Sequence, residues 1–307
     1  MDGYQKYCDL IKKSKDLKNQ IIEYNTKRKT AVRSGEKYFD EKLGLWCCSC
    51  CHTPIEAETG RTFSTFDGLI PEKISVDCEC WKKYIDDSRQ LEEVNKNLEN
   101  IEFFQKQCFS DKSMKKLVLS KAQDNRKNMT MIRRYADHWE TALENNIGLL
   151  LWGSVGTGKT YAAACLANEL IFLYQTRVHM TNFATILNDL TGNVSERNEY
   201  IEKLCRCDLL IIDDLGMERN TSFATEQVYH VIDTRYQMQK PLVITTNLTL
   251  DFMKNPQNIE YARIYDRILE MCTPIHFEGK NLRAEKAKEK FKVIKSFMGD
   301  DEKENEK

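Results

Sequence analysis

Residues 153–160 read GSVGTGKT, set between the apolar run 147–152 and a helical pattern that opens at Tyr161. A strand that breaks into a glycine-rich turn and re-enters as a helix is the context in which this spacing binds phosphate. Gly153, Gly156 and Gly158 let the backbone aim its amides inward at the positive end of a helix dipole, where side chains would collide with an anion. Ser154, Val155 and Thr157 complete the cradle. Lys159 reaches the β and γ oxygens of a nucleotide, and Thr160 offers a hydroxyl to Mg²⁺. ATP and Mg²⁺ are the expected ligands of this loop.

Further along the chain, LLIIDDLG (209–216) reads as a buried strand ending in two carboxylates. Asp213 is expected to hold the Mg²⁺. Asp214 stands where related ATPases usually carry a Glu that orients the attacking water, and its shorter side chain implies slow hydrolysis; its other reading is a cap for the following turn. LVITTN (242–247) ends a second apolar strand in Asn247, whose amide can position the water or sense the γ-phosphate, or simply make a turn. Arg263 and Arg267 lie one helical turn apart in ARIYDRIL, and Arg283 opens the final helix in NLRAEKAKEKF. A cation at the γ-phosphate stabilises charge that develops during transfer, and a neighbouring subunit can supply it. Short apolar runs at 147–152, 178–181, 209–213, 242–245 and 275–278 alternate with helical segments at 159–173, 183–190, 222–239 and 259–271. That rhythm predicts a buried parallel sheet covered by helices on both sides.

The amino-terminal part reads differently. Residues 1–43 are expected to be helical, with Leu10, Leu17, Ile21 and Tyr24 on one face, and 44–80 to be loop-rich. A second helix begins at Trp81, and Leu91, Val94, Leu98 and Ile101 form a seam that packs on the first helix or on another protein. Six cysteines fall within 47–80, as CCSCCHTP followed by CEC. A CxxC turn plus a CxC turn supplies the four thiolates of a tetrahedral Zn²⁺ site. The first pair is either Cys47 with Cys50 or Cys48 with Cys51, and Cys78 and Cys80 supply the second; His52 is a competing ligand or a turn residue, and reduced cysteines without metal are the plainer reading. From 111 to 134, eight Lys or Arg face two Asp, which suggests a basic linker and leading helix.

With 307 residues the chain has room for more than one domain, and 41% hydrophobic and 30% charged residues with 13 Gly and 5 Pro exclude global disorder. A net charge of −1 excludes a whole-chain attraction to nucleic acid or membrane, so any basic surface is local. No apolar run approaches the roughly 20 residues a bilayer needs, and a soluble, cytoplasmic protein is expected. The expected organisation is a helical, cysteine-rich domain at 1–108, a basic linker at 109–134, an ATPase domain at 135–298 and an acidic disordered tail at 299–307.

Taken in order, GSVGTGKT, LLIIDDLG, ITTN, RIYDRILE and NLR resemble the AAA+ ATPases of the DnaC/DnaI type, the replicative helicase loaders of bacteria, phages and mobile elements. The likeness covers roughly residues 120–298. It implies an α/β AAA+ P-loop NTPase with a parallel five-stranded sheet, preceded by a small helical zinc-binding domain. By the same likeness Asn247 is sensor 1, Arg267 the arginine finger with Arg263 beside it, and Arg283 the sensor 2 arginine. A cysteine-rich, helicase-binding domain ahead of the ATPase is the layout of several such loaders, and zinc-bearing sequences of this kind favour Cys48, Cys51, Cys78 and Cys80 as ligands. The resemblance implies a DnaB-type replicative helicase and single-stranded DNA as partners, with a homo-oligomer assembled on the helicase. The alternatives are an IstB-like ATPase helper of a transposase, a P-loop small-molecule kinase, and an interaction protein that binds ATP without hydrolysing it.

Overall fold

The computed structural model describes residues 2–33, 36–65, 68–122, 127–190, 194–216, 221–256 and 258–298; the tail expected to be disordered lies outside them. The chain divides into two compact units, residues 7–100 and residues 101–307 together with 1–6.

In the smaller unit, α1 (Gly3–Arg33) runs antiparallel to α2 (Glu79–Cys108), and each helix continues past the unit boundary. Ser14 Oγ lies 2.9 Å from Asn95 Oδ1, and Tyr24 stacks on Tyr84, whose ring stacks in turn on Trp81. Leu17 and Val94 are buried between them, so the seam expected on the second helix packs on the first. Two expectations are corrected. The first helix ends at Arg33 rather than at 43, and the stretch expected to be loop is largely strand. β1 (Lys37–Asp40) and β2 (Leu45–Cys48) form one antiparallel hairpin, and β3 (Glu56–Thr65) and β4 (Gly68–Ser75) form another. β3 is exposed along most of its length, so no alternation of apolar and polar residues announces it. Gly60, which reads as a breaker, is absorbed in a bulge: with φ +77° it lies where pairing jumps from Glu58 with Lys73 to Thr62 with Pro71.

The larger unit begins with the end of α2 and two short 3₁₀ turns at Lys112–Lys116 and Leu119–Lys121, then α3 (Lys127–Asp137) and α4 (Trp139–Glu144). The βα alternation follows: β5 (Gly148–Trp152), α5 (Lys159–Tyr174), β6 (Val178–Asn182), α6 (Phe183–Asp189), α7 (Val194–Cys205) and β7 (Leu209–Leu215). It continues through α8 (Ser222–Gln237), β8 (Leu242–Thr246), α9 (Leu250–Lys254), α10 (Ile259–Met271), β9 (Cys272–His276) and α11 (Leu282–Met298). The five strands order as β6-β7-β8-β5-β9, and every neighbouring pair is parallel. This is the five-stranded sheet implied by the sequence. Its last strand starts three residues earlier than expected, because Cys272 and Thr273 already pair with Gly148 and Leu149. Helix α7 had no distinct apolar signature beyond Ile201, Leu204 and Cys205, which it buries.

A buried cation locks the end of this sheet opposite the phosphate loop. Arg235 on α8 is fully buried, and its guanidinium donates to the carbonyls of Cys205, Cys207, Asp208 and Pro241, the residues that lead into β7 and β8. Burial pushes its pKa down, yet four carbonyl dipoles hold the charge in place. Replacing it removes the donors while the acceptors stay buried. Arg235→Met is expected to cost roughly 3 kcal/mol, read as a lower urea midpoint at unchanged m; a midpoint shift near zero would show that water takes over these carbonyls.

Candidate nucleotide site and metal centre

Because all five strands are parallel, the residues that leave β5, β7 and β8 emerge at one edge. Gly153 follows β5 with φ +138°, and a Cβ there would lie 2.2 Å from the Phe277 carbonyl oxygen. Gly156, at φ +81°, faces Asn281 so closely that a Cβ would lie 2.1 Å from its side-chain oxygen. The loop is therefore clamped from outside by the segment after β9: Leu282 N donates to Gly156 O at 2.9 Å, and Phe277 N donates to Trp152 O at 2.7 Å. Asn281 also accepts from the amides of Arg283 and Ala284, so it caps α11 while bracing the loop. Sequence reasoning did not single out Asn281; its cue is an Asn just ahead of the final helix.

Lys159 is buried, and its ammonium donates to Gly153 O, Ser154 O and Asn247 Oδ1, each at 2.8 Å. Thr157 is also buried and ties back to Ser154 O. Thr160 Oγ1 donates to Asp213 Oδ1 at 2.9 Å, so the two groups expected to hold Mg²⁺ meet between the start of α5 and β7. Burial lowers the Lys159 pKa, Asp214 and Asp213 raise it in that order, and Arg283 lowers it. Burial raises the Asp213 pKa, against hydrogen bonds from Thr245 and Thr160. A buried carboxylate beside a hydroxyl is a donor set suited to a hard divalent cation. The structure thus brings together the loop, Asp213, Asp214, Asn247 and Arg283.

Arg267 stands elsewhere. Its guanidinium pairs with Asp233 Oδ1 at 2.8 Å and lies over the rings of Tyr229 and Tyr236, all on α8. Arg263, one turn earlier on α10, is exposed.

In the smaller unit the sulfurs of Cys48, Cys51, Cys78 and Cys80 lie within 4.8 Å of one another. Cys48 and Cys80 are 3.8 Å apart and Cys78 and Cys80 3.3 Å, close to the roughly 3.8 Å edge that four Zn–S bonds of about 2.3 Å generate. The strand decides between Cys47 and Cys48. Side chains alternate along β2, so Cys48 faces the CxC turn while Cys47 is buried on the other side. His52 has φ +60° and sets its ring against Tyr38, which makes it a turn residue. Burial pushes the Cys80 thiol up, and the neighbouring sulfurs push it further. Burial also raises Cys51, but contacts to Thr53 and Cys80 outweigh it and bring that thiol down to about 6. Four sulfurs gathered at these spacings fit the tetrahedral donor set of Zn²⁺.

Residues 138–290, about half of the chain, match the family model of the IstB-like ATP binding proteins. The chain is similar to the phage-like element PBSX protein XkdC of Bacillus subtilis (strain 168), with 31% identity over 135 residues, 42% of this chain and 48% of that protein. It is similar to the replicative helicase loader DnaI of the same organism, with 30% identity over 149 residues, 44% of this chain and 47% of that protein. The chain spans about half the length of the curated relatives it matches. A solved DnaI crystal structure superposes at 25% identity with a TM-score of 0.48, over 57% of this chain and 95% of that one. A phosphate loop on a parallel sheet is shared by many nucleotide-binding proteins, and what narrows it here is the sequence match: residues 138–290 form an IstB-like ATP-binding domain.

Proposed function

We propose that this chain is an ATP-hydrolysing loader of a DnaB-type replicative helicase, acting in the cytoplasm as a homo-oligomer on that helicase. Residues 1–108 grip the helicase through a zinc-stabilised domain, 109–134 serve as a basic linker, and 135–298 bind ATP and single-stranded DNA. The observation that carries the ATPase reading is the meeting of Thr160 and Asp213 at 2.9 Å beside buried Lys159. The loader reading is supported by the 30% identity with the helicase loader DnaI across the ATPase half. The family match equally suits a transposase helper, and the four-cysteine cluster ahead of the ATPase favours the loader. No described helix is long and apolar enough to cross a membrane. A turnover assay with and without single-stranded DNA tests the reading, since a loader responds to DNA and a small-molecule kinase to its acceptor.

Each side chain has its own part. Lys159 holds three hydrogen bonds to oxygen, and phosphate oxygens of ATP compete for those donors with a full negative charge. Thr160 and Asp213 would hold Mg²⁺, which when bound neutralises charge on the β and γ oxygens. Asp214 orients the attacking water, and Asn247, whose amide oxygen accepts from Lys159, senses the γ-phosphate. Arg283 adds positive charge from α11. Arg267 serves the site of a neighbouring subunit, exchanging Asp233 for developing phosphate charge across the boundary.

Lys159→Ala is expected to abolish tight ATP binding, whereas Asp214→Asn keeps binding and blocks turnover; wild-type turnover by Asp214→Asn removes its assignment. Arg267→Ala lowers activity without weakening ATP binding by an isolated subunit. Mixing Arg267→Ala with Lys159→Ala subunits restores part of the activity, because mixed interfaces join an intact loop to an intact finger. No recovery from mutants that fold and co-assemble would end the trans role.

One tightly held Zn²⁺ per chain is expected, because residues 44–80 have little apolar burial to order them. Metal analysis of protein purified without added zinc, combined with circular dichroism on chelation, checks this. Metal-free protein with an unchanged spectrum would contradict it.

A further inference from the structure

The two strands that carry the acids and the sensor do not stay in step. β7 pairs with β8 through Leu210 with Leu242, Ile211 with Val243 and Ile212 with Ile244, and pairing resumes at Leu215 with Thr246. Asp213 and Asp214 therefore stand opposite a single residue, Thr245. Two residues against one is a β-bulge, a feature that re-aims side chains and is rare between parallel strands. Asp214 takes up the extra length with φ +58°, a left-handed conformation that a side chain other than glycine's disfavours. In a regular strand, successive carboxylates would point to opposite faces of the sheet. The bulge is what allows both to serve one edge.

Thr245 sits at the pivot. It is fully buried, and both hydrogen-bonding capacities of its hydroxyl are in use. Oγ1 donates to Asp213 Oδ1 at 2.5 Å and accepts the Asp214 amide at 2.9 Å. The next residue closes the bulge from the other side, Thr246 Oγ1 donating to Leu215 O at 2.8 Å. One hydroxyl thus fixes the side chain of the first acid and the backbone of the second.

We propose that Thr245 is a positioning residue for ATP hydrolysis: its hydroxyl holds Asp214 in the bulged, left-handed conformation from which the carboxylate meets the attacking water. The inference rests on the reading of Asp214 given above. Loss of the hydroxyl leaves the loop, Lys159 and Thr160 in place, so the effect belongs to turnover rather than to nucleotide binding.

The experiment uses the full chain with Thr245→Val, which keeps the branched shape without the hydroxyl, and Thr245→Ser, which keeps the hydroxyl without the methyl. Thr245→Cys replaces the valine variant if that protein does not fold. ATP affinity, kcat, KM and the Mg²⁺ dependence of kcat are measured for each. Thr245→Val is expected to bind ATP within about threefold of wild type and to lose at least about tenfold in kcat, while Thr245→Ser recovers to within about threefold. Thr245→Cys, a weak donor, should fall between them. Excess Mg²⁺ should not restore the valine variant. Wild-type kcat in Thr245→Val or in its cysteine substitute overturns the proposal. So does full recovery at high Mg²⁺, which would mean that Thr245 acts through Asp213 alone, and so does equal loss in the serine and valine variants, which would mark a packing role. If Asp214→Asn itself turns over at the wild-type rate, the reading of Asp214 has failed; if Asp214→Asn is inactive while Thr245→Val is fully active, only the role of Thr245 has.

Discussion

Parallel pairing of β5 with both β8 and β9 is the constraint on which the rest of the larger unit depends. A parallel strand sends its carboxyl end to the same edge as its neighbours, so the loop after β5, the acids of β7 and Asn247 after β8 converge without any dedicated scaffold. The pairing with β9 adds a second consequence. It delivers Phe277 and Asn281 against Gly153 and Gly156, so the outer wall of the phosphate loop is built from the segment that also starts the Arg283 helix. The shape of the loop and the placement of that arginine are one structural fact.

Among its described residues, the unit handles two buried cations in opposite ways. Arg235 is surrounded by carbonyls that belong to the fold and stay with it, so its charge is spent on joining the segments that precede β7 and β8. Lys159 is also buried, but its three acceptors are two loop carbonyls and the Asn247 amide oxygen, weaker partners than a phosphate. A guanidinium with five fixed donors suits permanent attachment, whereas an ammonium with rotatable donors suits exchange of partners. The smaller unit solves another problem. The hairpin of β3 and β4 is mostly exposed and buries little apolar surface, and the sulfurs of Cys48, Cys51, Cys78 and Cys80 gather where the cysteine-bearing segments meet.

The phosphate loop, the strand pattern and the paired acids were legible in the sequence because their chemistry is contiguous: GSVGTGKT needs only its own glycines, lysine and threonine, and each buried parallel strand is a short apolar run. The five strands and the helices beginning at 159, 183, 222 and 259 follow from that local signal. The hairpin at 56–75 was not legible, since a strand exposed along most of its length carries no periodicity, and β1 and β2, at four residues each, are too short to announce one. Which of the doubled cysteines belongs to the cluster depends on the face of β2 that turns inward, and neighbours in a strand are chemically identical until that face is set. Arg235 reads as an ordinary helix arginine until the carbonyls of Cys205, Cys207, Asp208 and Pro241 are folded around it. Thr245 reads as one more β-branched residue until an extra residue in β7 places two aspartates opposite it. Which groups are able to bind and act can be read along the chain, because those are properties of side chains and local spacing. Which of them meet is settled only on folding, because register, bulges and burial arise between segments distant in the chain.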